Sequence, residues 1–223
     1  MGYLSFNLQL ENKPIVIIGG GTVAQRKTGN IMPAGARLTI ISPTITFELQ
    51  RLRETGAIRH IPRSFEPGDL AGAFMAIAAT NDRAVNQSVA EEARSMGILA
   101  EIVDNPATGN VTSPAVHRQG DFSIAISTNN KAPALSAVIK RELAALFGSE
   151  YALTVRLLGD IREKLLTEGT AGTYNKQVLS ELAQLLPPLF AAGAEAEIVE
   201  LLQQKLGAGY SLALIEAILE DSQ

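Results

Sequence analysis

Residues 14–27, Pro-Ile-Val-Ile-Ile-Gly-Gly-Gly-Thr-Val-Ala-Gln-Arg-Lys, constrain this chain more than any other stretch. A short apolar run rich in β-branched residues is how a parallel strand buried on both faces reads. It breaks at three glycines, after which Val23, Ala24 and Lys27 begin a pattern compatible with a helix. The spacing Gly19-x-Gly21-x-x-Ala24 is that of a dinucleotide-binding turn with alanine in the last place. Gly19 permits the tight exit from the strand, Gly21 lets a pyrophosphate approach the backbone, and Ala24 lets the helix pack close to the sheet. The first helical residues, Thr22 and Val23, bring unbonded N–H groups and a partial positive charge to such phosphates. The stretch predicts NAD(P) binding, against the plainer reading of a glycine-rich turn in some other α/β domain.

A chain of 223 residues has room for one nucleotide-binding domain and a smaller partner region. A net charge of −4 gives no electrostatic reason to expect nucleic acid or an acidic membrane surface as a partner. The absence of cysteine excludes disulfides, thiolate zinc sites and cysteine nucleophiles, and two scattered histidines do not make a metal site. No apolar stretch is long enough to span a bilayer, and residues 1–7 lack the basic-then-apolar pattern of a signal peptide. The expectation is a soluble cytoplasmic protein without a resident metal.

Taken in order, residues 3–10 read as a lead-in that packs on the first domain, with Leu4, Phe6, Leu8 and Leu10 on one side. A helix to about Met32 leads to a second strand over 37–42. This strand ends in Ser42 and Pro43, where many dinucleotide folds carry a ribose-binding acid. A helix over 46–55, with Phe47, Leu49 and Leu52 apolar, and strands over 57–61, 73–79 and 98–103 complete a doubly wound parallel sheet. The run over 73–79 leads into Thr80, Asn81 and Asp82, at the carboxyl edge where open α/β sheets place ligands. Asp104 ends the last strand at the same edge. On position alone it is either a general base in a partly desolvated corner or a cap on the Asn105-Pro106 turn.

Beyond the sheet, residues 114–121 read as polar and turn-rich, 122–128 as an alternating strand, 129–133 as a loop and 135–147 as a helix. Ser127, Thr128, Asn129, Asn130 and Lys131 form a polar group that is either a binding loop or simply solvated. His60 reads as structural. His117, beside Arg118 and Asp121, reads first as structural and second as a ligand. From 150 the pattern is helical, with Leu153, Leu157, Leu158, Ile161 and Leu165 forming one apolar stripe. A linker is expected over 169–172, with helices over 175–186, 194–206 and 211–220.

Several stretches together resemble one family, the bifunctional precorrin-2 dehydrogenase/sirohydrochlorin ferrochelatases, the dehydrogenase part of siroheme synthase. The stretches are Tyr3-Leu4-Ser5-Phe6; residues 19–27; Ala79-Thr80-Asn81-Asp82 with Asn86; Val103-Asp104-Asn105-Pro106; Pro114-Ala115 with Arg118-Gln119-Gly120-Asp121; and residues 124–128 with 131–135. The order and spacing run through 3–147, while the tail resembles the family only in length and helical character.

The resemblance implies NAD-dependent oxidation of precorrin-2 to sirohydrochlorin, with insertion of Fe²⁺ as a substrate in some members. It also implies a homodimer that exchanges residues 113–148. It makes Asp104 the catalytic aspartate. Ser127, Thr128 and Lys131 would line the tetrapyrrole pocket, and Arg118, Lys131, Lys140 and Arg141 would offer charge to a substrate bearing many carboxylates. The family uses NAD without a ribose-binding acid, so Ser42 does not imply NADP.

The chain departs from the family pattern at Gly109, Val111, Glu101, Asn129-Asn130 and Ala132. The expected architecture is α/β: a Rossmann-like domain over 1–112, a small α+β dimerisation and substrate region over 113–148, and a helical domain over 149–223. The alternative function is a non-catalytic, NAD(H)-binding redox-sensing or regulatory dimer.

Overall fold

The computed structural model describes residues 2–167 and 173–207, which fall into two compact units, 1–113 and 114–223. The expected linker over 169–172 and the expected helix over 211–220 lie outside the described residues.

The first unit is a five-stranded parallel sheet of β1 (Pro14–Ile18), β2 (Arg37–Ile41), β3 (Ile58–Ile61), β4 (Met75–Ala78) and β5 (Leu99–Ile102), in the order β3-β2-β1-β4-β5. Around it lie α1 (Thr22–Ile31), α2 (Phe47–Glu54) and α3 (Arg83–Met96). Strand alternation sorts the sheet's apolar residues into two cores. Ile15, Ile17, Leu38, Ile40, Met75 and Ile77 join Ala24 of α1 and Leu49 of α2 on one face. Val16, Ile18, Ile41, Ala76, Ala78, Ala100 and Ile102 join Val89, Ala90 and Ala93 of α3 on the other. The alanines on both sides of that second interface let α3 lie close to the strands. The order of connection reverses between β1 and β4, which opens a crevice at their carboxyl ends.

Glu101 of β5 stands on the α1 side of the sheet, in register with Ile77, and is 6% exposed. Its carboxylate accepts from Lys27 Nζ of α1 at 2.6 Å, from Ser113 N at 2.9 Å and from Ser113 Oγ at 2.8 Å. The buried charge is thus paired and its oxygens are occupied, which is the condition for tolerating it. The preceding residues cover the edge of β5: Asn110 N and Val111 N both donate to Ala100 O, and Ala100 N donates to Asn110 Oδ1.

The lead-in departs from expectation. Leu4 and Phe6 are 82% and 64% exposed, and of the four apolar residues only Leu8 and Leu10 are half-buried. Phe47, in the first turn of α2, is also exposed, and Leu49 carries that helix's contact with the core.

The second unit opens with a hairpin of β6 (Ala115–Gln119) and β7 (Phe122–Ile126), joined through Gly120 at φ +54° and Asp121. A strand over 115–119 corrects the reading of 114–121 as a turn-rich segment. His117, Arg118 and Gln119 hide its alternation, and the buried His117 is satisfied because its Nε2 donates to Phe147 O at 2.6 Å. That bond gives His117 a structural role, the first of its two readings. α4 (Pro133–Leu146) begins with proline at its first position, where the missing N–H has no partner to lose. Phe122, Phe147 and Tyr151 stack with centroids 4.9–5.6 Å apart, supporting a hairpin too small to be stable alone.

α5 (Glu150–Thr167), α6 (Thr173–Ala192) and α7 (Glu195–Leu206) share a core that includes Leu157, Ile161, Leu182, Leu186, Ile198 and Leu202. α6 was expected to end at Leu186, yet it continues through Pro187 and Pro188. The prolines deprive the carbonyls of Ala183 and Gln184 of donors, but both residues are exposed to water. Leu189 and Phe190 continue the packing beyond them.

Candidate functional site

The crevice at the carboxyl ends of β1, β2 and β4 is a cavity of about 630 Å³ lined by residues 19–23, 42–46 and 80–82, with Phe65 beside them. Its glycines are not equivalent. Gly19 has φ +112°, and a Cβ there would lie 2.5 Å from Ala79 O. A Cβ on Gly20 would overlap the carbonyl oxygen of Thr44, and Thr46 N donates to Gly20 O at 3.0 Å. These two glycines are explained by the protein's own backbone.

Gly21 is not so explained. Its φ of −81° and ψ of −171° suit any residue, and a Cβ there would meet nothing within 4 Å. It faces the open space of the cavity. Gly21 is also the N-cap of α1, with no side chain capping the helix and no acid in its first turn. The N–H groups of that turn are left for an anion. The residues therefore fit a dinucleotide, whose pyrophosphate would rest on Gly21, Thr22 and Val23. Ala24 does not line the cavity. It is fully buried in the α1 side of the core, where its small size sets the approach of helix to sheet.

The far wall is fixed from below. Ser42 Oγ donates to Thr44 O at 2.7 Å, and His60 Nε2, on β3, donates to Ser42 O at 2.8 Å. Pro43 completes this wall. Asp82 is the sole charged lining residue among those described, and its Oδ1 caps α3 by accepting from Ala84 N at 2.9 Å and Val85 N at 3.2 Å. Gly20 and Thr44 are positions that sequence reasoning missed. The first fills a variable place in the spacing, and its partner comes from the next strand-to-helix loop.

Asp104 follows β5, the strand beside β4, and is exposed rather than partly desolvated. It lines a separate cavity of about 320 Å³ with Arg83, Asn86, Gln87, Asn105 and Thr108. Its Oδ1 accepts from Asn86 Nδ2 at 2.9 Å. Asn86 also donates to Thr80 O at 3.0 Å and accepts from Thr80 Oγ1 at 2.8 Å. Two of the family-like stretches, 79–86 and 103–106, thus meet at one corner.

The remaining candidates belong to the second unit. Arg118 is exposed on β6, and Ser127, Thr128 and Lys131 sit in the loop between β7 and α4. Asn129 and Asn130 have φ +51° and +61°, the left-handed backbone that Asn tolerates better than most residues, and Lys131 N closes the turn onto Thr128 O at 3.0 Å. Thr128 Oγ1 accepts from Ala132 N at 3.2 Å and meets Ser136 Oγ at 3.3 Å, so it shapes the loop as much as it lines it. The hydroxyl of Ser127 accepts from Asn129 N at 3.2 Å, while Lys131, Lys140 and Arg141 are exposed.

A reversed parallel sheet, a phosphate-ready glycine turn and a helix start without a cap define a dinucleotide-binding domain. In agreement, residues 6–115 match the family model described as putative NAD(P)-binding. The chain is 36% identical over 165 residues to siroheme synthase 1 of Aeromonas salmonicida and equally to the siroheme synthase of Methylococcus capsulatus; each alignment spans 74% of this chain and 35% of the relative. A second Aeromonas salmonicida enzyme, siroheme synthase 2, is 31% identical over 203 residues, 90% of this chain and 40% of its own length. The chain thus spans little more than a third of the siroheme synthases it matches. Among solved structures, SirC, a precorrin-2 dehydrogenase, shares the fold with a TM-score of 0.71 at 24% identity, covering 99% of this chain and 98% of its own. These matches relate most of this chain to a part of the siroheme synthases, and the solved structure shares its fold.

Proposed function

We propose that this chain is an NAD-dependent precorrin-2 dehydrogenase that converts precorrin-2 to sirohydrochlorin. The observation that carries the reading is the uncapped start of α1 at Gly21, with Asp104 two strands away at the same carboxyl edge of the sheet. Bound NAD⁺ supplies a two-electron acceptor for hydride. Asp104 takes the proton that the macrocycle loses with it, so that hydride and proton together account for the oxidation. Gly19 and Gly20 hold the turn, the first turn of α1 binds the pyrophosphate, and Thr80, Asn81 and Asp82 border the side facing Asp104. Among the described residues, the cavity presents no lysine or arginine to a 2′-phosphate, which favours NAD over NADP.

In this reading residues 113–148 form the dimerisation and tetrapyrrole-binding region of a cytoplasmic homodimer. Ser127, Thr128, Lys131 and Arg118 contact the substrate, and Lys140 and Arg141 add positive charge for its carboxylates. The likeness to siroheme synthases and the exposed Leu135, Val138 and Leu146 of α4 support it. Among the described residues, no helix is long and apolar enough to cross a membrane. Fe²⁺, where inserted, enters as a substrate held by the macrocycle's own nitrogens.

The test is anaerobic mixing of the purified protein with enzymatically generated precorrin-2 and NAD⁺, followed by Fe²⁺. NADH with the sirohydrochlorin spectrum is expected. Bound NAD⁺ without NADH would move the assignment to a redox-sensing dimer. An iron-dependent change faster than the protein-free blank would add the chelatase.

A further inference from the structure

We propose that Asn86 is the positioning residue that holds Asp104 as a proton acceptor and ties it to the wall of the dinucleotide cavity. The proposal rests on the role given to Asp104 above. Asn86 lies in the first turn of α3 but is only 1% exposed. Its two amide hydrogens go to different places, one to Thr80 O at 3.0 Å and the other to Asp104 Oδ1 at 2.9 Å. Its Oδ1 accepts from Thr80 Oγ1 at 2.8 Å.

A backbone carbonyl can only accept, so Thr80 O dictates which end of the amide is the nitrogen. The opposite orientation would set the Asn86 oxygen against two acceptors, Thr80 O and Asp104. Only an N–H can therefore face Asp104. A proton on Asp104 Oδ1 would meet that N–H head-on, so Oδ1 remains an acceptor and the incoming proton falls to Oδ2. Asn86 thereby occupies Oδ1 of Asp104 and leaves Oδ2 as its free oxygen. A residue needed only to tie the Thr80 turn would use one donor; the second is spent on Asp104.

The charged groups around this corner are few. Arg83 of α3 lines the same cavity, and Asp82 caps the start of α3. From the segment after β5, the lining residues beside Asp104 are the neutral Asn105 and Thr108, with Ile102 of β5 beneath them. Neither Arg83 nor Asp82 is altered by a substitution at Asn86. Thr80 also borders the dinucleotide cavity, so one side chain joins the two halves of the proposed reaction.

The experiment compares the full chain with Asn86→Asp, Asn86→Ser and Asp104→Asn. Precorrin-2 turnover is followed from about pH 5 to pH 9, with NAD⁺ affinity titrated in parallel. Asn86→Asp is nearly isosteric and places a carboxylate oxygen against both Asp104 and Thr80 O. The pair then shares one proton, and the acid limb of kcat is expected to move up by about one pH unit or more. NAD⁺ affinity should fall by less than kcat in both Asn86 variants, since Thr80 borders the cavity while the glycine turn is untouched. Asn86→Ser cannot reach Asp104 and adds no charge, so kcat should fall about tenfold without moving the limb.

An unmoved acid limb in Asn86→Asp would overturn the proposal. So would a parallel loss of NAD⁺ affinity and rate in both Asn86 variants, because Asn86 would then act only through the fold of the 80–86 turn. Full activity of Asp104→Asn would remove the role of Asp104 itself. An inactive Asp104→Asn beside Asn86 variants that match the parent would remove the positioning role alone.

Discussion

The two cavities of the first unit are built from different materials. The dinucleotide cavity is made of main chain: a glycine turn, a helix start and a loop held down by Ser42 and His60. The Asp104 corner is made of side chains: Thr80, Asn86 and the carboxylate itself. A main-chain site is sensitive to added atoms and indifferent to most neighbouring side-chain chemistry. A side-chain site is sensitive to changes of a single functional group at unchanged volume. Binding and chemistry should therefore separate under mutation.

The largest effect is expected at Gly21. Gly21→Asp has room for its side chain and an ordinary backbone, so it should fold with an unchanged Tm. Its carboxylate occupies the place of the pyrophosphate, and NAD⁺ affinity should fall by about 100-fold or more in a direct titration. Unchanged affinity would erase the contrast, because the cofactor would then lie elsewhere. Next is Asp104→Asn, which keeps shape and loses the base. Turnover should fall by about 10²–10³ while NAD⁺ affinity holds; a joint loss of both would show that the corners are not independent.

The same logic extends to stability. Glu101→Leu leaves the Lys27 ammonium buried and unpaired, at an expected cost of about 3 kcal/mol in urea unfolding. Adding Lys27→Met should restore most of that loss, since a matched apolar pair has no charge to desolvate. A double variant no better than the single would mean the site needs charge. The smallest effect is expected at Asp69. Its carboxylate accepts from both terminal nitrogens of Arg63, at 2.6 and 2.7 Å, and these bonds hold its pKa below the usual carboxylate range. Because the folded value is the lower one, this stabilisation is complete above the unfolded carboxylate value of about 4 and is lost as pH falls through the folded value. Asp69→Asn should therefore cost about 1 kcal/mol at neutral pH, discounted for the partly exposed Arg63. The difference from the parent should shrink as unfolding is measured at lower pH.

What could be read from the chain follows the range of each interaction. The strand, the turn and α1 are local events, so Gly19, Gly21, Thr22 and Val23 were legible from spacing, and so were Thr80, Asn81 and Asp82 from the strand end. The obligation on Gly20 was not, because it comes from Thr44 in another loop. β6 was hidden by polar residues whose partners, Phe147 O above all, lie far along the chain. Asp104 was marked by its place after a buried strand, whereas its bond to Asn86 needs the packing of α3 on β5. Glu101 stood out as a departure, but its partners Lys27 and Ser113 meet it only once the unit closes.

That meeting has a consequence for how the sheet selects its own alignment. A slip of β5 by one residue would turn Glu101 from the α1 side into the alanine-lined face beneath α3. Lys27 would lose its counter-ion and Ser113 its acceptor, and a carboxylate would enter a surface with no donor prepared for it. Apolar strands alone distinguish poorly between neighbouring alignments, since alanine and isoleucine bury well on either side. One acid in the last strand, answered by a base in the first helix, makes the shifted sheet several kcal/mol worse and leaves a single alignment to fold into.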